Sequence, residues 1–253
     1  MNTSQSLAGR TAVVTGSTSG IGAATARALA VRGARVVITG RDAERGAQVV
    51  DVITGSGGAA VFVAGDLTAS PARLRELAAT WTAVLDGRID ILVHNAAICP
   101  PVDTVSLTDD DLEATLALNV RAPQVLTAAI APAMIEHGGG AIVVVGSWMA
   151  SVGHAFVGFY SATKAAESQL ARSWAAEFGP RGIRVNTVAP GATRTPINAD
   201  ADDVVTQMTA GTPAGRPGTP EEVAAAIAWL VSDEASYVHG ALIPVDGGIT
   251  TTR

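Results

Sequence analysis

The chain has 253 residues, of which 48% are apolar and 16% charged, so it can bury a large core and is not composed like a disordered protein. Its net charge is −6 and it has no basic block, which argues against nucleic acid and anionic membrane surfaces as partners. The single cysteine, Cys99, excludes an internal disulfide and favours a reducing compartment, the cytoplasm. The histidines lack ligand spacing, so no metal site is predicted.

Short β-branched runs alternate with longer segments rich in Ala and Leu. The runs predicted as strands are 11–16, 35–40, 60–65, 89–95, 141–147, 183–189 and 241–245. The segments predicted as helices are 21–32, 43–54, 70–85, 109–117, 120–137, 159–179 and 220–231. The runs are almost wholly apolar, as is typical of strands covered on both faces. The repeated β-α-β order predicts an α/β fold: a doubly wound parallel sheet of about seven strands with helices on both faces, in one domain over 1–253.

Three stretches need a separate interpretation. Residues 1–9 lack the charged and apolar regions of a signal peptide and are predicted to form a short flexible tail. The most apolar long stretch, 141–160, contains several Gly and Ser residues and a His, so a membrane helix is a poor interpretation. Segment 192–218 is long and rich in Thr, Pro, Gly and Asp. It is predicted to be a flap over a pocket, with an irregular surface connection as the alternative.

Three glycines, Gly16, Gly20 and Gly22, fall where the first strand gives way to a helix. Gly16 permits a tight turn, Gly20 lets the backbone approach a pyrophosphate, and Gly22 lets the helix pack closely on the sheet. The N-terminus of the helix then presents free N–H groups to the phosphates. This pattern predicts a dinucleotide site, with an ordinary Gly/Ser-rich turn as the alternative.

The second strand ends at Gly40, Arg41 and Asp42. A carboxylate at the end of this strand would bind both ribose hydroxyls of an adenosine, whereas a glycine followed by an arginine leaves space and a guanidinium for a 2′-phosphate. We therefore expect NADPH in preference to NADH. Asp42 could instead be a ribose ligand or the cap of the next helix, and Arg41 could be a solvated loop residue.

Asp66 and Leu67 follow the third strand. At the end of a strand, Asp66 can accept a hydrogen bond from the adenine amino group, and Leu67 can cover the ring. The alternative is that Asp66 is a turn or cap residue before Thr68.

Ser147, Tyr160 and Lys164 carry the predicted chemistry. Tyr160 and Lys164 are four residues apart, so they share one face of a helix. An ammonium beside a phenol favours the phenolate, so we expect Lys164 to lower the pKa of Tyr160 from about 10. Ser147 can then hold a substrate oxygen near the Tyr160 proton, which suits a carbonyl or an alcohol. Taken singly, Ser147 would be a strand-end serine and Lys164 a solvated helix residue.

Together these motifs resemble the short-chain dehydrogenase/reductase family, in its form of about 250 residues, from Arg10 to Gly248. Segment 15–22 is similar to the cofactor loop of that family, and Ser147, Tyr160 and Lys164 are similar to its catalytic triad. The other matching positions are Asp66, segment 94–97, Asn119, Pro190 and Gly191 with Thr195, and the ending 240–248. The chain departs from the family's N-N-A-G segment at His94, in place of the first Asn, and at Ala97, in place of the Gly.

The resemblance implies a Rossmann-type fold and an oxidoreductase that transfers a hydride between nicotinamide C4 and a ketone or secondary alcohol. Tyr160 would exchange the proton, Ser147 would stabilise the substrate oxygen, Lys164 would also bind the nicotinamide ribose, and Asn119 would orient Lys164 through water. NADPH/NADP+ is expected first and NADH/NAD+ second. The residues expected to bind the dinucleotide are Gly16, Ser17, Ser19, Gly20, Ile21, Gly22, Arg41, Asp66, Leu67, Asn95, Ala96, Tyr160, Lys164, Pro190, Gly191 and Thr195.

The predicted substrate pocket is apolar, with few charges. Its residues are Ile98, Trp148, Met149, His154, Phe156, Ile197 and Met208. This lining favours an uncharged ketone or secondary alcohol. A 3-oxoacyl carrier thioester is an alternative substrate, because its charged carrier would lie outside the pocket. A non-catalytic dinucleotide-sensing regulator or scaffold is the alternative function, although such a protein does not need Ser147, Tyr160 and Lys164 together.

Helix 159–179 indicates how copies of the chain could assemble. It carries small and large apolar residues, namely Ala162, Ala165, Ala166, Leu170, Trp174 and Phe178. The resemblance implies that this helix pairs about two-fold axes in a homotetramer, with a homodimer as the smaller alternative. The other interpretation is that these side chains only face their own sheet.

Overall fold

The protein is described here by a computed structural model that covers residues 6–252, apart from the side chain of Ile197. Seven parallel strands form its sheet: β1 (Thr11–Val14), β2 (Arg35–Gly40), β3 (Ala59–Ala64), β4 (Ile91–His94), β5 (Gly140–Val145), β6 (Ile183–Pro190) and β7 (Leu242–Val245). Eight α-helices accompany them: α1 (Gly20–Val31), α2 (Ala43–Gly55), α3 (Pro71–Val84), α4 (Asp109–Leu116), α5 (Ala122–Glu136), α6 (Gly158–Phe178), α7 (Asp202–Thr209) and α8 (Pro220–Val231). The predicted doubly wound parallel sheet is confirmed.

The strand order is β3-β2-β1-β4-β5-β6-β7, so the chain moves outward from β1 in one direction and then returns to place β4 on the other side of β1. Because all strands are parallel, their carboxyl ends share one edge of the sheet. The reversal between β1 and β4 opens a crevice at that edge, which is the usual ligand position in open α/β sheets.

Two hydrophobic layers cover the two faces of the sheet. Alternate residues of β1 divide between them: Ala12 and Val14 pack with α1, α2 and α8, whereas Val13 packs with α3, α5 and α6. This alternation follows from the two-residue period of a strand. It explains why the strands are apolar throughout, and it confirms helices on both faces.

The N-terminal stretch differs in part from the predicted tail. Residues 1–5 lie outside the described residues, but Leu7 is buried in the layer of α1 and its N–H donates to the carbonyl of Arg32. The chain is therefore anchored from Leu7 onward, which a single leucine among polar residues did not reveal.

Element boundaries and one irregular segment also differ from prediction. The predicted helices 109–117 and 120–137 form a continuous helical stretch, because a π-helical turn, Ala117–Arg121, joins α4 to α5. β5 ends at Val145, before the predicted end at 147, so Gly146 and Ser147 belong to the following loop. Within the predicted flap 192–218, the 3₁₀ turn Pro196–Ala201 and helix α7 supply regular structure that the weak periodicity hid.

Helix α8 begins with a complete capping box. The Thr219 hydroxyl accepts a hydrogen bond from the Glu222 N–H, and the Glu222 carboxylate accepts one from the Thr219 N–H. Arg216 pairs with the same carboxylate at 2.6 Å. The start of a helix that packs against β5, β6 and β7 is thus fixed by side chains.

We predict that Thr219→Ala lowers the free energy of unfolding by about 1 kcal/mol, because it leaves an N–H at the start of α8 without its acceptor. Chemical denaturation measures the difference. The control is Thr80→Ala, which removes an exposed threonine that bonds only back to Glu76 within α3. An equal loss in the two variants would contradict a specific role for the cap.

Candidate active site

Ser147 lies two residues beyond the end of β5 and is 7% exposed. Its hydroxyl oxygen accepts a hydrogen bond from the Met149 N–H at 3.2 Å, which starts the 3₁₀ turn Trp148–Ser151. The same hydroxyl is close enough to the Tyr160 phenol to act on its pKa, in the lowering direction. The structure therefore brings Ser147 and Tyr160 together across the loop that leads from β5 into α6.

Tyr160 and Lys164 lie in the first turns of α6, on one face as predicted. The Lys164 Nζ is 6.0 Å from the centre of the Tyr160 ring. The Lys164 side chain is 2% exposed, and its Nζ donates to the Val145 carbonyl at 2.9 Å. Lys164 is therefore a buried cation at the end of β5, and its interpretation as a solvated helix residue is wrong.

The pKa of Tyr160 departs from expectation. Burial of the phenol raises this pKa above its usual value, whereas the Lys164 charge and the Ser147 hydroxyl act in the lowering direction and are outweighed. The expected net lowering is wrong for the chain described here, because desolvation disfavours the phenolate more than one ammonium favours it.

Glu167 is the residue that sequence reasoning missed. Its Oε2 lies 2.6 Å from the Lys164 Nζ, and its side chain is 1% exposed. Burial raises the pKa of Glu167 to about 7, even though the Lys164 ammonium acts to lower it. The available signal was periodicity, because Tyr160, Lys164 and Glu167 recur at spacings of four and three residues and so share a helix face.

Asn119 lies in the π-helical turn and is fully buried. Its Oδ1 accepts from the Ile98 N–H, and its Nδ2 donates to the Ile98 carbonyl and to the Thr163 hydroxyl, each at 3.0 Å. Asn119 thus ties the loop after β4 to α6, next to Lys164. The water-mediated link from Asn119 to Lys164 stays a prediction.

The glycine loop has the geometry that its residues predict. Gly16 and Gly20 have positive φ values of 64° and 52°, which side chains disfavour. A Cβ at Gly22 would lie 2.4 Å from the Gly16 carbonyl oxygen and 2.5 Å from the Asn95 Nδ2. The three glycines therefore form a tight turn that ends at the N-terminus of α1, and Ile21 is half-buried within it.

Polar side chains hold this loop in place. The Asn95 Nδ2 donates to the carbonyls of Thr15 and Gly16, and the N–H groups of Asn95 and Ala96 donate to the Thr15 hydroxyl. Ser17 is buried: its hydroxyl donates to the Val14 carbonyl and accepts from the Thr39 N–H. The side chains of Asn95 and Ser17 thus hold the backbone of the loop through hydrogen bonds.

Ser19 differs from Ser17, because it stands at the N-cap position of α1 without making a side-chain cap. Its hydroxyl is therefore not committed to holding the start of the helix.

The end of β2 does not keep the predicted space open beside Gly40. A Cβ at Gly40 would lie 2.8 Å from the Thr18 Cγ2, so Thr18 occupies the place of a side chain. Arg41 is exposed beside this position. Asp42 accepts from the Arg45 N–H at 3.0 Å and pairs with the Arg45 side chain at 2.6 Å, so it is the cap of α2.

Asp66 also serves its own loop in this structure. Its Oδ1 accepts from the N–H and the hydroxyl of Thr68, at 2.9 and 2.7 Å, and these bonds lower its pKa. The neighbouring Leu67 is buried among residues of the α3 and α5 layer. The turn interpretation of Asp66 thus has direct geometric support, and its contact with adenine stays a prediction.

The first residues of segment 192–218, the predicted flap, reach the glycine loop. β6 ends at Pro190, and the Gly191 N–H donates to the Val245 carbonyl. Thr195 carbons lie 3.4 Å from the position of a Cβ on Gly20. Segment 192–218 therefore begins directly beside the turn between β1 and α1, and its role as a flap over a pocket stays a prediction.

His94 and Cys99 lie near Lys164 and are neutral. The His94 Nε2 is 2.8 Å from the Thr127 hydroxyl oxygen, and burial, with the Lys164 charge, lowers the pKa of His94 to about 3. Burial raises the pKa of Cys99 to about 11 although its side chain reaches the surface. His94 stands where the N-N-A-G segment after the fourth strand has its first Asn, and because His94 is neutral this difference adds no charge.

The predicted substrate residues lie in three places. Ile98 and Met149 adjoin the catalytic candidates through their backbones, since Ile98 bonds Asn119 and Met149 bonds Ser147. Met208 is half-buried in α7. The side chain of Ile197 lies outside the described residues, so its predicted place in the pocket stays a prediction.

The loop before α6 carries the other predicted substrate residues. Trp148 is 3% exposed, and its ring meets the His154 ring edge-on at 6.2 Å. The His154 Nδ1 lies 2.6 Å from the Ala155 carbonyl oxygen. Phe156 is 58% exposed and has a φ of 64°, which is strained for an aromatic residue. Such strain is a common property of residues at functional sites.

Known proteins match nearly the whole chain. Residues 16–250 match the family model described as Enoyl-(Acyl carrier protein) reductase. The chain is 43% identical to cis-4-hydroxycyclohexanecarboxylate dehydrogenase of Sinomonas cyclohexanicum, with 97% of this chain and 98% of that protein covered. It is 39% identical to L-rhamnose 1-dehydrogenase (NAD(P)(+)) of Sphingomonas sp. strain SKA58, with 96% of this chain and 97% of that protein covered.

A solved structure is similarly close. It is a putative NAD(P)-dependent gluconate 5-dehydrogenase from Beutenbergia cavernae with bound NADP at low occupancy, 38% identical with a TM-score of 0.92 over 98% of this chain and 99% of that chain. The chain belongs to the short-chain dehydrogenase/reductase family of oxidoreductases. Among residues 6–252, no helix is both long and apolar enough to cross a membrane.

We predict that Gly22→Ala is strongly destabilising, because the new methyl would overlap the Gly16 carbonyl. The matched control is Gly55→Ala at the end of α2, where a Cβ would meet no atom within 4 Å. Thermal unfolding of the two variants compares them. A Gly22→Ala protein as stable as Gly55→Ala would show that the loop is looser than described.

Proposed function

We propose that this protein is an NADP(H)-preferring oxidoreductase that interconverts ketones and secondary alcohols, with Tyr160 as the general acid and base. The observation that carries the proposal is the meeting of Ser147, Tyr160 and Lys164 at the sheet edge that also holds the glycine loop. A regulator that only binds a dinucleotide gains nothing from this arrangement.

The glycine loop fits a dinucleotide. A Cβ on Gly22 would overlap the turn itself, and the helix that begins at Gly20 directs free N–H groups towards this turn. When bound, the nicotinamide ring supplies or accepts the hydride. The residues proposed to hold the dinucleotide are Gly16, Ser17, Ser19, Gly20, Ile21, Gly22, Arg41, Asp66, Leu67, Asn95, Ala96, Tyr160, Lys164, Pro190, Gly191 and Thr195.

The chain's own residues handle the proton. In reduction, the Tyr160 hydroxyl donates its proton to the substrate oxygen as negative charge builds there, and in oxidation the phenolate takes it back. The Ser147 hydroxyl, already beside the phenol, donates to the same oxygen and stabilises its charge. Lys164 places a positive charge next to the phenol. Asn119 holds α6 and the loop after β4 in register around them.

The preference for NADP(H) rests on the end of β2. Thr18 fills the space of a side chain at residue 40, so no carboxylate stands there to bind ribose hydroxyls. Arg41 is exposed at this point, while Asp42 is committed to capping α2. An exposed guanidinium beside a strand end that carries no carboxylate suits a 2′-phosphate. The NADP in the gluconate 5-dehydrogenase structure supports the same choice.

We propose an uncharged secondary alcohol or ketone as the substrate class. The loop before α6 offers Trp148, Met149, His154 and Phe156, and burial lowers the pKa of His94 so that this neighbour is neutral too. The relatives named above are dehydrogenases of a hydroxycyclohexanecarboxylate and of a sugar. Both compounds carry a ring C–OH group, which supports an alcohol substrate, although the first is itself an anion. The description of the matching family model keeps a carrier-bound acyl substrate as a second candidate.

We also propose a homotetramer in the cytoplasm. On α6, Ala162 and Ala165 are exposed and leave room for a second helix. Trp174 and Phe178 are buried against the chain's own sheet, so they do not contribute to such a contact.

Tyr160→Phe is expected to fold, to bind the dinucleotide still, and to lose about 100-fold or more in turnover, because general acid–base catalysis supplies that much. The assay is a panel of ketones with NADPH or NADH and of alcohols with NADP+ or NAD+. The control is Tyr237→Phe, which removes a phenol that is 99% exposed. Near-normal activity of Tyr160→Phe would exclude it as the acid and base. Dinucleotide binding by the wild type without any turnover would favour the sensor.

Arg41→Ala is expected to weaken NADPH binding by about 10- to 100-fold while changing NADH binding little, because it removes hydrogen bonds to a charged phosphate. KM values and direct titration for both dinucleotides measure this. The control, Arg181→Ala, removes an exposed arginine just before β6, at the opposite edge of the sheet. An equal effect on NADPH and NADH would contradict the 2′-phosphate role.

A further inference from the structure

Glu167 is a buried carboxylate that the proposed reaction does not use. It follows Lys164 by three residues on α6, and the Oε2–Nζ distance is 2.6 Å. Apart from Lys164, neither carboxylate oxygen has a hydrogen-bond partner within residues 6–252. A buried carboxylate without N–H or hydroxyl donors is strongly unfavourable unless an opposite charge lies beside it. Glu167 is therefore stabilised by Lys164, so any effect of Glu167 on the site acts through Lys164.

The Lys164 ammonium is held from two sides. The Val145 carbonyl, at the end of β5, accepts from Nζ at 2.9 Å, and Glu167 approaches Nζ from α6 itself. A lysine side chain is long and flexible, so one contact alone leaves its ammonium several positions. The carbonyl and the carboxylate together fix it next to the Tyr160 ring, 6.0 Å from its centre.

The titratable groups around Tyr160 and Lys164 come from three elements. α6 contributes Lys164 and Glu167, β4 contributes His94, and the loop after β4 contributes Cys99. Burial lowers the pKa of His94 to about 3 and raises that of Cys99 to about 11, so both are neutral near pH 8. Lys164 and Glu167 are the charged pair of this group.

We propose that Glu167 is a positioning residue of the site: its carboxylate holds the Lys164 ammonium against the end of β5 and offsets part of the positive charge that Lys164 presents to Tyr160. This inference rests on the acid–base role proposed above for Tyr160. Glu167 thereby sets how strongly the phenol holds its proton.

The directions of the pKa shifts agree with this role. Burial raises the pKa of Tyr160, Lys164 opposes it, and the Glu167 charge acts with burial. For Lys164, burial acts to lower the pKa, but Glu167 and then Tyr160 outweigh it, so the pKa of Lys164 is raised. Glu167 thus adds to the stability of the Lys164 ammonium, with Tyr160, while weakening its pull on the phenol.

A neutral side chain of the same shape at residue 167 leaves the Lys164 charge without its counterion. The phenol then loses its proton at a lower pH, because a less compensated cation favours the phenolate more strongly. Alcohol oxidation requires the phenolate, so the acid limb of its pH profile moves to lower pH in the same variant.

The first experiment needs neither substrate nor dinucleotide. The chain has only two tyrosines, and Tyr237 is 99% exposed, so in a Tyr237→Phe background the near-ultraviolet phenolate absorbance reports Tyr160 alone. Adding Glu167→Gln is expected to lower the titration midpoint by about 0.5 pH unit or more. The matched control is Glu177→Gln, which removes an exposed carboxylate from the same helix, 3.9 Å from Arg181. It should leave the midpoint unchanged.

The second experiment measures kcat/KM for alcohol oxidation against pH in the wild type, Glu167→Gln and Glu167→Asp. We expect the pH of the acid limb to fall in Glu167→Gln by about as much as the phenol titration midpoint does. In Glu167→Asp, which keeps the charge, the acid limb should return towards its wild-type pH. If Glu167→Gln does not fold, Glu167→Asp replaces it. The shorter Asp side chain holds its carboxylate farther from Lys164, so the phenol titration midpoint and the acid limb should move in the same direction by a smaller amount. A wild type without turnover would refute the proposed reaction, while the phenol titration would still decide the role of Glu167. An unchanged or raised midpoint in the folded variant would overturn this inference.

Discussion

All seven strands run in the same direction, and the rest of the site depends on this constraint. Parallel strands put every carboxyl end on one edge, so loops that are distant in sequence meet there. The loops then hold one another: the Asn95 amide bonds the carbonyls at the end of β1, and the Asn119 amide bonds the backbone of Ile98. The edge is therefore one hydrogen-bonded assembly rather than a set of independent loops.

Much of this architecture could be predicted because the signals are local. Apolar β-branched runs indicate buried strands, and three glycines after the first of them indicate a phosphate turn, whatever the rest of the chain does. The π-helical turn could not be predicted in the same way. It is centred on Asn119, whose side chain bonds the loop after β4 and Thr163, and those partners come together only in the folded chain.

The electrostatics of the site were the hardest part to predict. A lysine and a glutamate three residues apart look alike in sequence whether they lie in water or in the core, and exposed pairs of this kind are common on helices. Here both side chains are buried, so their charges act at short range on Tyr160. Burial likewise reverses the expected direction of the Tyr160 pKa. By contrast, Asp42 and Asp66 bind their own loops, as the local alternatives indicated.

The contact between Gly40 and Thr18 has an evolutionary consequence. Because a Cβ at residue 40 would lie 2.8 Å from the Thr18 methyl, an acidic residue there requires the Thr18 side chain to shift or to be replaced by a smaller one. The effects of substitutions at the two positions are therefore coupled. Relatives with Asp or Glu at residue 40 should therefore carry a smaller residue at position 18. Covariation of the two positions in an alignment of related sequences would reveal this pairing.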